Sequence, residues 1–133
     1  MTKVVVNGTF DILHLGHLGL LEFAKSHLDA YVLVLIDSDS RVKLLKGNDR
    51  PINNQHERAA LLSALRHVDR VDIFDSDQEL ENKIKLFNPD VMVKGSDYQG
   101  REIIGSQHCK EIKFYERLEQ YSTTKKIQYI VNR

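Results

Sequence analysis

Cysteine occurs once among the 133 residues, at position 109, proline twice, and tryptophan not at all. A lone cysteine excludes an intramolecular disulfide, so the fold must rest on its apolar core, as is usual in a reducing compartment. An excess of charge is missing too: 19 Lys and Arg face 19 Asp and Glu, for a formal net charge of +0. An obligate nucleic-acid binder carries a basic stripe, which argues against that class here. Apolar runs are short. A stretch such as Tyr31 to Ile36 falls far below the roughly 20 residues that a membrane-spanning helix requires. The N-terminus does not read as a secretory signal. The expected setting is therefore cytoplasmic, with neither nucleic acid nor membrane as partner.

What is present suits one compact domain over residues 1–133, since 41% of the chain is hydrophobic. Lys3 to Val6 is a β-branched run that stops at Asn7-Gly8, and Ala30 to Ile36 is a second apolar run ending in Asp37-Ser-Asp-Ser40. Runs of this kind, closed by turn residues, predict buried strands of a parallel sheet. Leu18, Leu21 and Leu28 lie between them at helical spacing. Arg41 to Asn54 is polar, holds Lys43, Lys46, Gly47, Arg50 and Pro51, and has the composition of a functional loop. Helices are predicted over 55–66, 78–87 and 122–131, the last capped by Ser122, with strands over 71–74, 90–93 and 112–115. Lys94 to Tyr98 reads as a loop. Strand and helix alternate throughout, which predicts an α/β, Rossmann-like doubly wound parallel sheet of about five strands with helices on both faces. Ligands of such sheets bind at the carboxyl ends of the strands.

The segment Asn7-Gly-Thr-Phe-Asp-Ile-Leu-His-Leu-Gly-His17 stands at the first of those ends. Gly8 and Thr9 are small enough for backbone amides to approach a phosphate. His14 and His17, three apart in the first turn of a helix, project from one face and join its positive end. Two imidazoles there suit phosphoryl chemistry, which depends on positioning and charge stabilisation. An isolated HxxH pair equally fits a metal half-site or two surface histidines. A zinc site needs further ligands, and His108 with Cys109 is a poor candidate. Ser122-Thr123-Thr124 opens the last helix, so hydroxyls and free amides converge on a second anion site, or merely cap that helix.

The pattern Gly8-Thr-Phe-Asp11 followed by His14-Leu-Gly-His17 resembles the signature of the HxGH nucleotidyltransferases, the superfamily that includes cytidylyltransferases and class I aminoacyl-tRNA synthetases. The resemblance implies that His14 and His17 bind the NTP phosphates and stabilise the transition state. Gly8, Thr9 and Phe10 would form the phosphate-approach loop. Asp11 would sit beside the reacting phosphates and near the metal.

Arg117 to Thr124 looks like the family's second signature, in which Ser122, Thr123 and Thr124 contact phosphate and Arg117 faces the nucleotide. Gln120 replaces the glycine usual there. Leu44 to Asn53 with Glu57-Arg58, and Asp90 to Tyr98, are similar to the adenylyltransferase domain of ADP-heptose synthase. From that likeness Lys46 and Arg58 reach phosphate groups, Lys46 also taking part in catalysis. Lys94, Gly95 and Asp97 line the nucleotide pocket.

The implied reaction is attack by an acceptor phosphate on the α-phosphorus of an NTP, with Mg²⁺ on the NTP phosphates and release of pyrophosphate. ATP with a heptose 1-phosphate is the leading substrate pair. CTP with glycerol 3-phosphate or a related alcohol phosphate is the alternative, favoured by Arg117. A nucleotide-binding module without turnover is the reading from outside enzymology. Relatives of this kind are commonly homodimers.

Overall fold

A computed structural model describes residues 1–116 and 121–133. Five parallel strands, β1 (Thr2–Gly8), β2 (Ala30–Asp37), β3 (Arg70–Phe74), β4 (Val91–Gly95) and β5 (Glu111–Tyr115), form one sheet in the order β3-β2-β1-β4-β5. Five helices, α1 (Leu15–Lys25), α2 (Asp39–Lys46), α3 (Gln55–Ser63), α4 (Asp77–Phe87) and α5 (Thr123–Val131), complete the main elements. The α/β sheet expected from the sequence is the one observed.

Alternation along the strands divides the core into two layers. Val4, Val6, Val34 and Ile36 pack on one face against Leu21 and Ala24 of α1 and Leu62 of α3. Val5, Leu33, Leu35 and Met92 point the other way, against Leu80 and Ile84 of α4. Both faces are covered, which is why the strands read as continuous apolar runs.

Helix starts follow local chemistry. Ser38, Asn54, Ser76 and Ser122 each adopt extended backbone, and their side chains accept the N–H three residues on. Such a cap supplies one of the four donors a helix N-terminus leaves unpaired. The segment 41–54 corrects the loop expectation: residues 39–46 are helical, started by the Ser38 cap. α2 stops at Gly47, whose φ of 100 favours a residue without a Cβ. α3 is shorter than expected and ends at Ser63. Lys94 belongs to β4, and only Ser96–Tyr98 makes a short 3-10 turn.

The chain passes from β1 leftward through β2 and β3, then returns to the other side of β1 for β4 and β5. That reversal is the switch point of the sheet. The β1–β4 register runs through Val4↔Val91 and Val5↔Met92, and the ladder ends there. Beyond it, at the carboxyl ends of the two strands, the cleft opens.

Candidate active site

The turn between β1 and α1 is built under strain. Phe10 and Ile12 adopt φ of 54 and 48, a left-handed conformation costly for a bulky and a β-branched side chain. Each such residue costs roughly 1–3 kcal/mol and persists only where its surroundings hold it. Here they do. Asp11 is buried, and its carboxylate accepts the N–H of Ile52 at 2.7 Å and of Asn53 at 2.9 Å. Its carbonyl accepts the hydroxyl of Thr123. The Thr9 carbonyl accepts a guanidinium N–H of Arg58 at 2.9 Å. The Phe10 ring enters the core and lies 5.2 Å from the ring of His17.

This strained turn delivers the chain into α1 with His14 as the N-cap. His14 Nδ1 accepts the Gly16 N–H and His17 Nδ1 accepts the His14 N–H, both at 3.1 Å. The two imidazoles thus form a reciprocal capping box, with ring centroids 3.8 Å apart. An imidazole nitrogen that accepts carries no proton, so each neutral ring carries its N–H on Nε2. The HxxH spacing therefore does two jobs, capping the helix and setting the tautomer of both rings. Gly16 belongs to the same device: a Cβ there would lie 2.9 Å from His14 Cε1.

The two histidines line a cleft of about 390 Å³ together with Gly8, Thr9, Lys46, Lys94 and the Ser122–Thr124 helix start. Ser122 Oγ accepts the Lys125 N–H at 3.0 Å, an arrangement that directs its hydroxyl hydrogen elsewhere. Lys46 is the last residue of α2. Loss of solvent first, and the neighbouring Arg50 second, hold its amine below the ordinary lysine value. Lys94 is buried, donates to Asn7 Oδ1 at 3.2 Å, and stands 4.2 Å from the centre of the Tyr98 ring. Burial pushes its amine down to about 8, against the opposing pull of Asp37 and Asp97.

A connected compartment holds Gly95, Asp97, Tyr98, Tyr115 and Tyr121 around the same two histidines. Of the residues singled out from the sequence, Gly8, Thr9, Phe10, Asp11, His14, His17, Lys46, Lys94, Gly95, Asp97, Ser122, Thr123 and Thr124 meet here. Arg117 lies outside the described residues.

Two expectations need correction. Arg58 is 0% exposed, and its guanidinium donates to the carbonyls of Asn53, Thr9 and Asp37 and to Asp39 Oδ1, each at 2.9 Å. Its donors are taken up inside the fold and none is exposed to the cleft. It ties the carboxyl ends of β1 and β2 to the start of α3. Asp11, expected near the metal, has both carboxylate oxygens engaged by the 52–53 backbone. It anchors that loop, and its fit to a metal is poor. Phe10 stands in the expected turn and lines both compartments, with most of its ring buried in the core.

Sequence reasoning missed Asn7, Asp37, Arg41, Arg50 and Tyr98 as cleft residues. Asp37 was legible by the same rule that found Gly8, because it ends β2 beside β1. Its carboxylate accepts from Arg41 at 2.8 Å and from the Thr9 hydroxyl at 3.1 Å.

A cleft at the switch point of a parallel sheet, floored by a helix N-terminus and lined by two tautomer-fixed imidazoles and two amines, defines a protein that handles nucleoside phosphates. The cytidylyltransferase-like family model matches residues 5–129. The chain belongs to that family, and its enzyme class is nucleotidyltransferase. The bifunctional protein HldE of Campylobacter fetus is 47% identical over 129 residues, and that of Nitratiruptor sp. is 50% identical over 121. These alignments cover 97% and 91% of this chain but 28% and 26% of the relatives, so the chain spans about a quarter of their length. The crystal structure of a lipopolysaccharide core biosynthesis protein from Thermoplasma volcanium superposes with a TM-score of 0.67 at 28% identity, covering 87% of this chain and 98% of that one. Among the described residues no helix is long and apolar enough to cross a membrane.

Proposed function

We propose that this chain transfers adenylate from ATP to a sugar 1-phosphate of the heptose type, forming an ADP-sugar and pyrophosphate. The observation that carries the reading is the reciprocal cap of His14 and His17 at the mouth of the β1–β4 cleft. It leaves the Nε2–H of each neutral ring as a donor of set orientation. That is what nucleotidyl transfer between phosphates asks of a protein. The choice of ATP and a sugar phosphate rests on the Lys46 and Lys94 segments, and on the similarity to the HldE proteins.

In the proposed step an acceptor phosphate oxygen attacks the α-phosphorus, and the bond from that phosphorus to the oxygen bridging to the β-phosphate breaks. Pyrophosphate leaves opposite the entering oxygen. No proton needs to move, because the acceptor phosphate is already ionised. His14, His17, Lys46 and the hydroxyl and amides at Ser122 and Thr123 stabilise the charge that accumulates on the phosphate oxygens.

Mg²⁺, when bound, would neutralise the triphosphate. Among the described residues no cluster of three or more His, Cys, Asp or Glu could hold a metal. In this reading the cation is carried by phosphate and water oxygens, the usual habit of Mg²⁺. Assembly as a homodimer is part of the same proposal and is measured by light scattering.

Pyrophosphate release is the test, with ATP and CTP each crossed against heptose 1-phosphate, other sugar 1-phosphates and glycerol 3-phosphate. Turnover with ATP and a sugar 1-phosphate supports the proposal. Turnover only with CTP transfers the chain to the cytidylyltransferase reading. A melting shift with nucleotide but no pyrophosphate from any pair would leave a binding module in its place.

A further inference from the structure

The cleft has two compartments that share His14, His17, Thr9 and Lys94. One carries Asp97, Tyr115 and Tyr121, an aromatic lining suited to a base and its ribose. The other carries Arg41, Lys46 and Arg50 with an apolar wall that includes Phe74 and Ile103. In-line attack on the α-phosphorus brings the acceptor in opposite the leaving pyrophosphate, and this second compartment, apart from the aromatic lining, supplies the cations that the phosphate of an acceptor needs.

The three cations that the second compartment does not share with the first are not equivalent. Arg41 is already engaged, by Asp37 at 2.8 Å and by Asp77. Arg50 is not. Its Nε is buried without a hydrogen-bond partner, and its nearest carboxylate oxygen, on Asp11, stands 3.8 Å away. That oxygen already accepts the Ile52 N–H at 2.7 Å. The backbone of Arg50 is held, its N–H donating to Gly47 and its carbonyl accepting from Lys43. A fixed main chain thus presents a guanidinium whose Nε–H is unmet, near the amine of Lys46. The depressed lysine value at Lys46, caused in part by Arg50, shows that the two positive groups feel each other. The carboxylates nearest these two cations are committed elsewhere, Asp37 to Arg41 and Thr9 and Asp11 to the 52–53 amides. A dianionic phosphate monoester would pair with both cations, and a planar guanidinium suits it by bidentate bonding.

We propose that Arg50 is an acceptor-binding residue, receiving the phosphate of the acceptor in the compartment opposite the base. The inference deepens the proposed function and rests on it for the identity of the acceptor.

The test compares the full chain with Arg50→Met and Arg50→Lys by two readouts. In steady-state pyrophosphate release, Arg50→Met is expected to raise the acceptor KM by about tenfold or more, the scale of a charge-assisted bond, with the ATP KM within about twofold. Arg50→Lys, which keeps the charge, recovers part of the loss and guards against a folding defect in the first variant. An unchanged acceptor KM, or equal rises for acceptor and ATP, overturns the assignment while the proposed function stands. The second readout is the melting shift produced by inorganic phosphate, the minimal dianion, which needs no turnover. If no substrate pair turns over, yet phosphate stabilises the native chain and not Arg50→Met, the function fails and the Arg50 site survives. Equal phosphate shifts in both proteins would remove the site.

Discussion

Arg58 holds Thr9 from behind the cleft: one guanidinium nitrogen donates to the Thr9 carbonyl and to the Asp37 carbonyl, each at 2.9 Å. The ends of β1 and β2 are thereby fixed to each other through a side chain of α3. The strain at Phe10 and Ile12 is sustained by this link, by Asp11 and by Thr123.

Removing Arg58 should therefore act first on stability. Arg58→Ala leaves three carbonyls, of Asn53, Thr9 and Asp37, without their buried donor. The expected loss is on the order of 3 kcal/mol or more, a fall in Tm of roughly 10 °C for a chain of this size. Thermal melting decides the matter. A Tm within about a degree of the native chain, with the acceptor KM raised, would return Arg58 to the role of a phosphate ligand.

His14 and His17 combine capping with catalysis, and the two roles separate by substitution. His14→Asn keeps a good N-cap acceptor but loses the imidazole, so turnover is expected to fall by at least about 10²-fold with little change in Tm. His17→Ala should lose at least about as much rate and also about 1 kcal/mol of helix capping, without unfolding the protein. Single-turnover rates beside melting curves read both effects. A folded His17→Ala variant with a native rate is incompatible with the mechanism.

Gly16 is required by the position of the His14 ring. A methyl group at residue 16 would lie 2.9 Å from Cε1 and 3.0 Å from Nδ1 of that ring. Gly16→Ala should displace the imidazole, lowering kcat by about tenfold or more, because errors near 1 Å cost about that in a positioned site. Alanine favours helix over glycine, so stability should not fall much. Native kcat in this variant would show that the ring position tolerates change.

Lys94 makes the cleft sensitive to pH above neutrality. Its amine lies at about 8 in the folded chain against 10.5 for an ordinary lysine, because burial disfavours the charge. Below pH 8 both folded and unfolded chains carry this proton, and the penalty of burying it is present in full. Between about 8 and 10.5 the unfolded chain holds more protons, so this group makes stability rise with pH. A bound triphosphate would favour the charged amine. Nucleotide binding at pH 8.5 should accordingly take up a proton, detected by calorimetry in buffers of different ionisation enthalpy, and Lys94→Met should abolish that uptake. Equal uptake in the variant would assign the proton to another group.

The sequence by itself determined the layering and the reaction centre. β-branched runs buried on both faces can only be central strands, and Gly8-Thr9 with His14 and His17 lie in one continuous segment whose geometry is set by a strand end and a helix start. Ser122 was legible as a cap for the same local reason. Residues 41–46 were misread as loop because polar composition hid a helix whose signal was the Ser38 cap and whose single buried residue is Val42. Only the tertiary structure decided the fates of the charged residues. Arg58, Arg50 and Asp11 look alike in a list of polar side chains. Arg58 became an internal clamp because α3 packs against the ends of β1 and β2, Asp11 an anchor because the 52–53 amides reach it, and Arg50 a cation facing the cleft because Asp11 was already engaged. Hydrogen-bond partners 41 to 49 residues apart are chosen by packing, and no local pattern records that choice.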